Sequence, residues 1–236
     1  MNTETIFQCT VGSHAYGTAT ETSDLDMLEV FLAPVDSYIG LKKSKSSHKI
    51  EGKDDIQRYE LIHFISLCLE FNPNVITSLW VKPQHVLYQH IFYFTPFLHN
   101  VVAFSSQKVY NTFRGYANQQ RKRMLGEITG QLGEKRKDLK EKYGYDTKYA
   151  YHAVRLLRMC REFLDTHKLN VYREDGEELY RIRNGKLSLQ ELEDLIAVEE
   201  RKCEDSMGNT TLPKEPNYDW VNSMLIKSLK DYIITY

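Results

Sequence analysis

Residues 11–30 read VGSHAYGTATETSDLDMLEV and place two aspartates, Asp24 and Asp26, one residue apart at the head of an apolar run. In an extended chain, side chains i and i+2 stand on the same side, so two like charges are set next to each other. Such a pair repels unless something positive lies between its members. Upstream, Gly12-Ser13 ends a loosely alternating segment, residues 4 to 11, which reads as a first strand entering a tight turn. Residues 14 to 22 then form a short helix or loop, and 25 to 33 a second strand stopped by Pro34.

Outward from this core, LKKSKSSHKIEGKDD (41–55) reads as an exposed connection between two strands of one sheet. Residues 55 to 61 alternate as a third strand and lead into LIHFISLCLEF, whose apolar residues recur at helical spacing. Asn72-Pro73 stops that helix and starts another, with proline in its first turn. The aromatic stretch around Tyr88, Phe92, Tyr93, Phe94 and Phe97 reads as core. Residues 107 to 142 are charged and helical in flavour, weakened by Gly126, Gly130 and Gly133. A domain boundary is expected near 140, giving domains 1–140 and 141–236. The clearest helix covers 146 to 165, with Asp146 or Thr147 as its cap. Ala150, Val154, Leu157 and Leu164 share one of its faces; Lys148, His152 and Arg155 fall opposite. Ser188-Leu-Gln-Glu191 makes a capping box for a helix to about 203, a linker follows over 207–217, and a last amphipathic helix covers 218–234.

Lysine plus arginine (31) nearly balances aspartate plus glutamate (32) in this 236-residue chain, so no global field draws it to nucleic acid or anionic lipid. Contact with nucleic acid then requires a local patch. The four cysteines are scattered singly, which argues against a zinc site or a disulfide framework and suits a reducing cytoplasm. The greasiest stretch, 91–104, is broken by Pro96 and His99 and is too short to span a bilayer; no signal peptide is expected.

An apolar residue, Gly-Ser, a spacer and acidic-apolar-acidic, here Val11-Gly12-Ser13 and Asp24-Leu25-Asp26-Met27, resembles the signature of the DNA polymerase β-type nucleotidyltransferase superfamily. YELIHFISLCLEFNPNVITSLW, KYAYHAVRLLRMCREFL and LYRIRNGKLSLQELEDL together resemble an uncharacterised branch of predicted nucleotidyltransferases found in bacteria and large phages. The resemblance implies an α/β (α+β) fold, a small mixed sheet with packed helices followed by a helical C-terminal domain. It implies transfer of a nucleoside monophosphate from ATP or another NTP to an acceptor, with pyrophosphate released. The acceptor is left open among a small molecule, a protein side chain and an RNA end.

On this reading Asp24 and Asp26 hold Mg2+, or Mn2+ in its place, and Gly12 and Ser13 meet a phosphate. Magnesium suits the arrangement because it takes hard oxygen ligands, typically one or two carboxylates plus substrate phosphates. Such enzymes add a third carboxylate, and the choice lies between Asp55 and Glu60. If the third strand runs antiparallel to the second, its end lies beside Asp24, which favours Glu60; another direction or register favours Asp55. Lys148, His152 and Arg155 are expected to bind the nucleotide, against the alternative of an ordinary solvated face. Arg181 and Arg183 would share a side if extended. His14 and His63 are left out of the site, since a lone histidine is more often a packed residue. The rival reading is a non-catalytic nucleotide-binding or antitoxin-like module that binds a partner protein.

Overall fold

The computed structural model describes residues 3–21, 23–50, 55–128 and 134–235. It is α+β, with a small mixed sheet and many helices. The chain divides into two compact units, residues 1–106 with 213–236, and residues 107–212. The expected single cut near 140 therefore falls inside the second unit, and the final segment belongs to the first.

The first unit carries a five-stranded sheet of order β3-β4-β2-β1-β5. Its strands are β1 (Glu4–Thr10), β2 (Asp26–Leu32), β3 (Ser47–Ile50), β4 (Asp55–Glu60) and β5 (Val86–Gln89). Five helices belong to it: α1 (Gly12–Tyr16), α2 (Asp36–Ile39), α3 (Leu61–Leu69), α4 (Pro73–Ile76) and α5 (Thr95–His99). A sixth, α11 (Tyr218–Thr235), comes from the far end of the sequence. β2 is central, and Leu28 to Leu32 are all buried, as a strand covered on both faces requires. The one charge within that buried run, Glu29, accepts hydrogen bonds from Arg58 Nε (2.6 Å) and Thr5 Oγ1 (2.8 Å), which offsets the cost of burying a carboxylate.

The direction of β4 differs from the antiparallel expectation. β2 and β4 are parallel, with Asp26 opposite Asp55 and Phe31 opposite Glu60. The cause is β3, which lies in the lysine- and serine-rich stretch read as a plain connection. β3 pairs antiparallel with β4, so it takes up one reversal of the chain and leaves β4 running with β2. Its sequence, SHKI, is polar in the manner of an edge strand.

Phe7 stacks on Phe94 at 4.3 Å, and Phe64 and Phe97 close around Phe94 at 5.7 and 6.1 Å. α11 completes this core, with Trp220 set edge-on to Phe97 and Tyr232 edge-on to Tyr38 and Tyr93. Tyr93, Phe94 and Phe97 are core, as expected, but Tyr88 and Phe92 are exposed. Asn72 caps α4 through its side chain, with Pro73 in the first turn.

The second unit is helical: α6 (Lys108–Leu125), α7 (Glu134–Tyr143), α8 (Thr147–Thr166), α9 (Gly176–Arg183) and α10 (Leu189–Asn209). Gly126 ends α6 in the left-handed conformation (φ 81°), where glycine bears no Cβ penalty; Gly130 and Gly133 lie outside the described residues. Asp146 caps α8 and the Ser188–Glu191 box caps α10, both as read from sequence. α10 runs to Asn209, beyond the expected end near 203. Arg181 and Arg183 sit in α9, so the extended reading of that segment does not hold. α8 is buried on almost every side. All four cysteines are buried free thiols.

Two charges buried in this unit, Arg158 and Arg173, are paired with carboxylates. Arg158 donates to Asp175 (2.7 Å) and to both oxygens of Glu178 (2.9 and 2.8 Å), while Arg173 holds Asp175 (2.8 Å) and both oxygens of Glu162 (2.7 Å each). Burial alone would raise the Asp175 carboxyl; the bonds to Arg173 and Arg158 outweigh it and hold the group below its ordinary value. Glu178 is lowered by its bond to Arg158. A carboxyl lowered in the folded state contributes stability that is present above its unfolded value, about 4, and is lost as pH falls through the folded one. Urea midpoints are therefore expected to hold from pH 7 to 5 and drop below about 4. Asp175→Asn should cost more at pH 7 than at pH 3, and an equal cost at both would contradict this account.

Candidate active site

The end of β1 and the start of β2 are locked together by a hydrogen bond from the Val11 N–H to the Asp26 carbonyl (2.9 Å). This brings Gly12 against the Asp26 side chain. A Cβ built on Gly12 would run into the Asp26 carboxylate, and the residue has φ 66° besides, so only glycine fits. α1 begins at Gly12, earlier than the sequence suggested, and Ser13 lies half-buried in its first turn. From there the loop back to β2 is gathered by Thr20 and Ser23, whose hydroxyls lie 3.1 Å apart, and by the His14 ring against the Ser23 carbonyl (3.4 Å). Asp24 emerges exposed and Asp26 half-buried.

Asp55 occupies the β4 position opposite Asp26, and paired positions on neighbouring strands project to the same face. Its carboxylate accepts a hydrogen bond from Lys49 Nζ at 2.7 Å. Glu60 is not brought to this place. It lies five positions farther along β4, about 16 Å away at about 3.3 Å per residue. There its Oε2 caps α3 by accepting the His63 N–H (3.2 Å), and its Oε1 accepts the Tyr38 hydroxyl (2.7 Å). Burial, reinforced by the Glu60 charge, pushes the Tyr38 phenol well above its ordinary value and keeps it a donor. Glu60 thus serves the helix start and lines a separate cleft of about 350 Å³ with Tyr38, Lys43 and His63. The signal for Asp55 was the glycine at position 52, between two short strand-like runs, which marks a hairpin and therefore an extra reversal.

Lys148, His152 and Arg155 all lie on α8 but do not form one solvent-facing stripe. Lys148 is exposed, His152 half-buried and Arg155 buried at 6% exposure, its guanidinium 3.1 Å from Met159 Sδ. They belong to the second unit, whereas Gly12, Ser13, Asp24, Asp26 and Asp55 belong to the first.

No group of three or more His, Cys, Asp or Glu residues gathers in a metal-holding cluster among the described residues. The oxygen-only donors Asp26 and Asp55 instead fit a hard cation that takes one or two carboxylates and completes its shell with substrate phosphates.

A family model described as the RNA repair pathway DNA polymerase beta family matches residues 1–231. The chain belongs to this family. The family is of the nucleotidyltransferase type, and nucleoside monophosphate transfer is the general chemistry of that type. An uncharacterised 38.9 kDa protein of the nrdC-mobD intergenic region of Enterobacteria phage T4 is 32% identical over 93 residues, 36% of this chain and 28% of the phage protein. The alignment thus spans less than a third of that relative's length. A nucleotidyltransferase-like protein from Exiguobacterium sibiricum aligns with 87% of this chain and 69% of its own at 12% identity, with a TM-score of 0.30, too low to carry structural detail across. Among the described residues, no helix is long and apolar enough to cross a membrane.

Proposed function

We propose that this member of the family transfers a nucleoside monophosphate from ATP or another NTP to the end of an RNA, releasing pyrophosphate, with a divalent cation, Mg2+ or Mn2+, held by Asp26 and Asp55, and Asp24 two residues upstream. The observation that carries the reading is the register of the parallel pair, which sets Asp55 beside Asp26 while the bare Cα of Gly12 abuts the Asp26 carboxylate. The choice of an RNA acceptor rests on the RNA repair pathway in the family's description.

When bound, the cation would neutralise charge on the triphosphate and on the leaving pyrophosphate. The protein's own part begins with Gly12, whose missing side chain leaves room for the Asp26 carboxylate to lie against the turn. Asp55, on the same side of the sheet, is placed to orient the terminal hydroxyl of the acceptor and accept its proton. That oxygen forms the new bond to the α-phosphorus as the bond to pyrophosphate breaks. Lys49 must release Asp55 for this; at an exposed pair the cost is only about 0–1 kcal/mol.

Magnesium is expected to tighten NTP binding at least about 10-fold, about 1.4 kcal/mol, measured by titration with and without the ion. Equal affinity in both titrations, or none in either, would overturn the metal-site reading.

A further inference from the structure

The near-neutral total hides a strong asymmetry. Residues 107–148 carry eleven Lys/Arg against five Asp/Glu, while the rest of the chain carries twenty against twenty-seven. Such a local excess is the electrostatic footprint of a polyanion partner, which the net charge of −1 conceals.

Within the second unit, several cations are paired with carboxylates. Arg114 pairs with Glu204, Arg121 with Glu193, and Arg158 and Arg173 are held inside the carboxylate network. Another set lies where α6 ends, α7 ends and α8 begins. Lys140 Nζ lies over Gly126 at the end of α6. The Arg123 guanidinium stands 5.9 Å from the Tyr149 ring and Lys142 Nζ 5.0 Å from the Tyr143 ring. Tyr143 in turn is laid against the bare Cα of Gly185, which brings in the end of α9, where Arg183 stands 5.9 Å from the Tyr151 ring. Arg123, Lys140 and Lys142 are exposed, and Tyr143 and Tyr149 are half-buried. Among the described side chains, the acids exposed on the same segments are Glu127 and Glu141.

We infer that this face of the second unit binds the backbone of single-stranded RNA, with Arg123, Lys140 and Lys142 on phosphates and Tyr143 and Tyr149 beside the bases. Cations set against aromatic rings are the combination that unpaired nucleic acid uses, because every base offers a face to stack and every phosphate a charge. A duplex keeps its bases stacked away from such rings. The inference rests on the RNA-end reading for its choice of RNA, and it adds where the strand is held.

The test measures binding of a short fluorescent oligouridylate to the full chain over a range of KCl. A triple variant, Arg123→Gln, Lys140→Gln and Lys142→Gln, is compared with a control, Lys42→Gln, Lys43→Gln and Lys45→Gln in the first unit. With about 0.7 counterions released per phosphate contact, the triple variant should flatten the slope of log K against log salt by about 2. It should also bind at least about 10-fold more weakly at low salt. The control should keep the wild-type slope. A Lys140→Gln, Lys142→Gln pair should show about two thirds of the effect, which keeps the test open if the triple variant fails to fold. An unchanged slope in the triple variant or in the pair, an equal change in the control, or equal binding of duplex DNA or anionic vesicles would overturn the inference. Lost RNA binding with intact magnesium-dependent NTP binding leaves the Asp26 site standing. Intact RNA binding without that NTP dependence rejects the site and spares this surface.

Discussion

Asp26→Asn is expected to lower pyrophosphate release from an NTP by about 10³-fold, the upper range for loss of one preorganised electrostatic group. Asn keeps the shape of the side chain, and the Val11–Asp26 backbone bond does not depend on the charge. Like charges opposite one another on paired strands are destabilising, so removing one from the Asp26–Asp55 pair should leave the melting temperature unchanged or slightly raised. Asp24→Asn should act in the same direction. Turnover within two-fold of wild type in the Asp26 variant, with a normal melting temperature, would remove these carboxylates from the chemistry.

The second large effect separates Asp55 from Glu60 by two readouts. Asp55→Asn is expected to stop transfer, by about 10²-fold or more, while NTP still binds and stability holds, because its partner Lys49 is exposed. Glu60→Gln should do the opposite. Transfer persists, and stability falls by about 0.5–2 kcal/mol as the α3 cap and the acceptor for Tyr38 are weakened. A Glu60 variant that folds normally and is inactive, beside an active Asp55 variant, would return the role to Glu60.

The contrast between these two acids shows which parts of the molecule its sequence announces. Gly12-Ser13 and Asp24-x-Asp26 were legible because their arrangement is local: one turn and one loop bring them together. The caps at Asn72, Asp146 and Ser188 were legible for the same reason, since capping acts within three residues. The acid set opposite Asp26 was not, because which end of β4 lies there depends on how many strands lie between β2 and β4. Those strands are counted through a polar edge segment that resembles a loop. β5 was missed on similar grounds, being four residues long and mostly exposed. On α8 the face of Lys148, His152 and Arg155 was read as nucleotide-binding, with a solvated face as the alternative, and Arg158, outside that reading, finds its carboxylates 17 and 20 residues away. No periodicity on the helix itself reports such partners.

The return of residues 213–236 to the first unit has a consequence for how the protein is made. The Asn217 N–H bonds to the Ala103 carbonyl at 2.8 Å, so the chain re-enters the sheet-bearing unit beside the point from which it left. Gln107 Nε2 likewise bonds to the Leu212 carbonyl at 2.8 Å, which joins the two ends of the intervening helical unit. During synthesis that helical unit is complete before the ribosome has delivered Trp220 and Tyr232. The aromatic core of the first unit stays open until then. A nascent or truncated chain ending at 212 would hold every acidic group discussed above and still lack the wall against which Tyr38, Tyr93 and Phe97 close, so the unit begun first is the one whose core closes last.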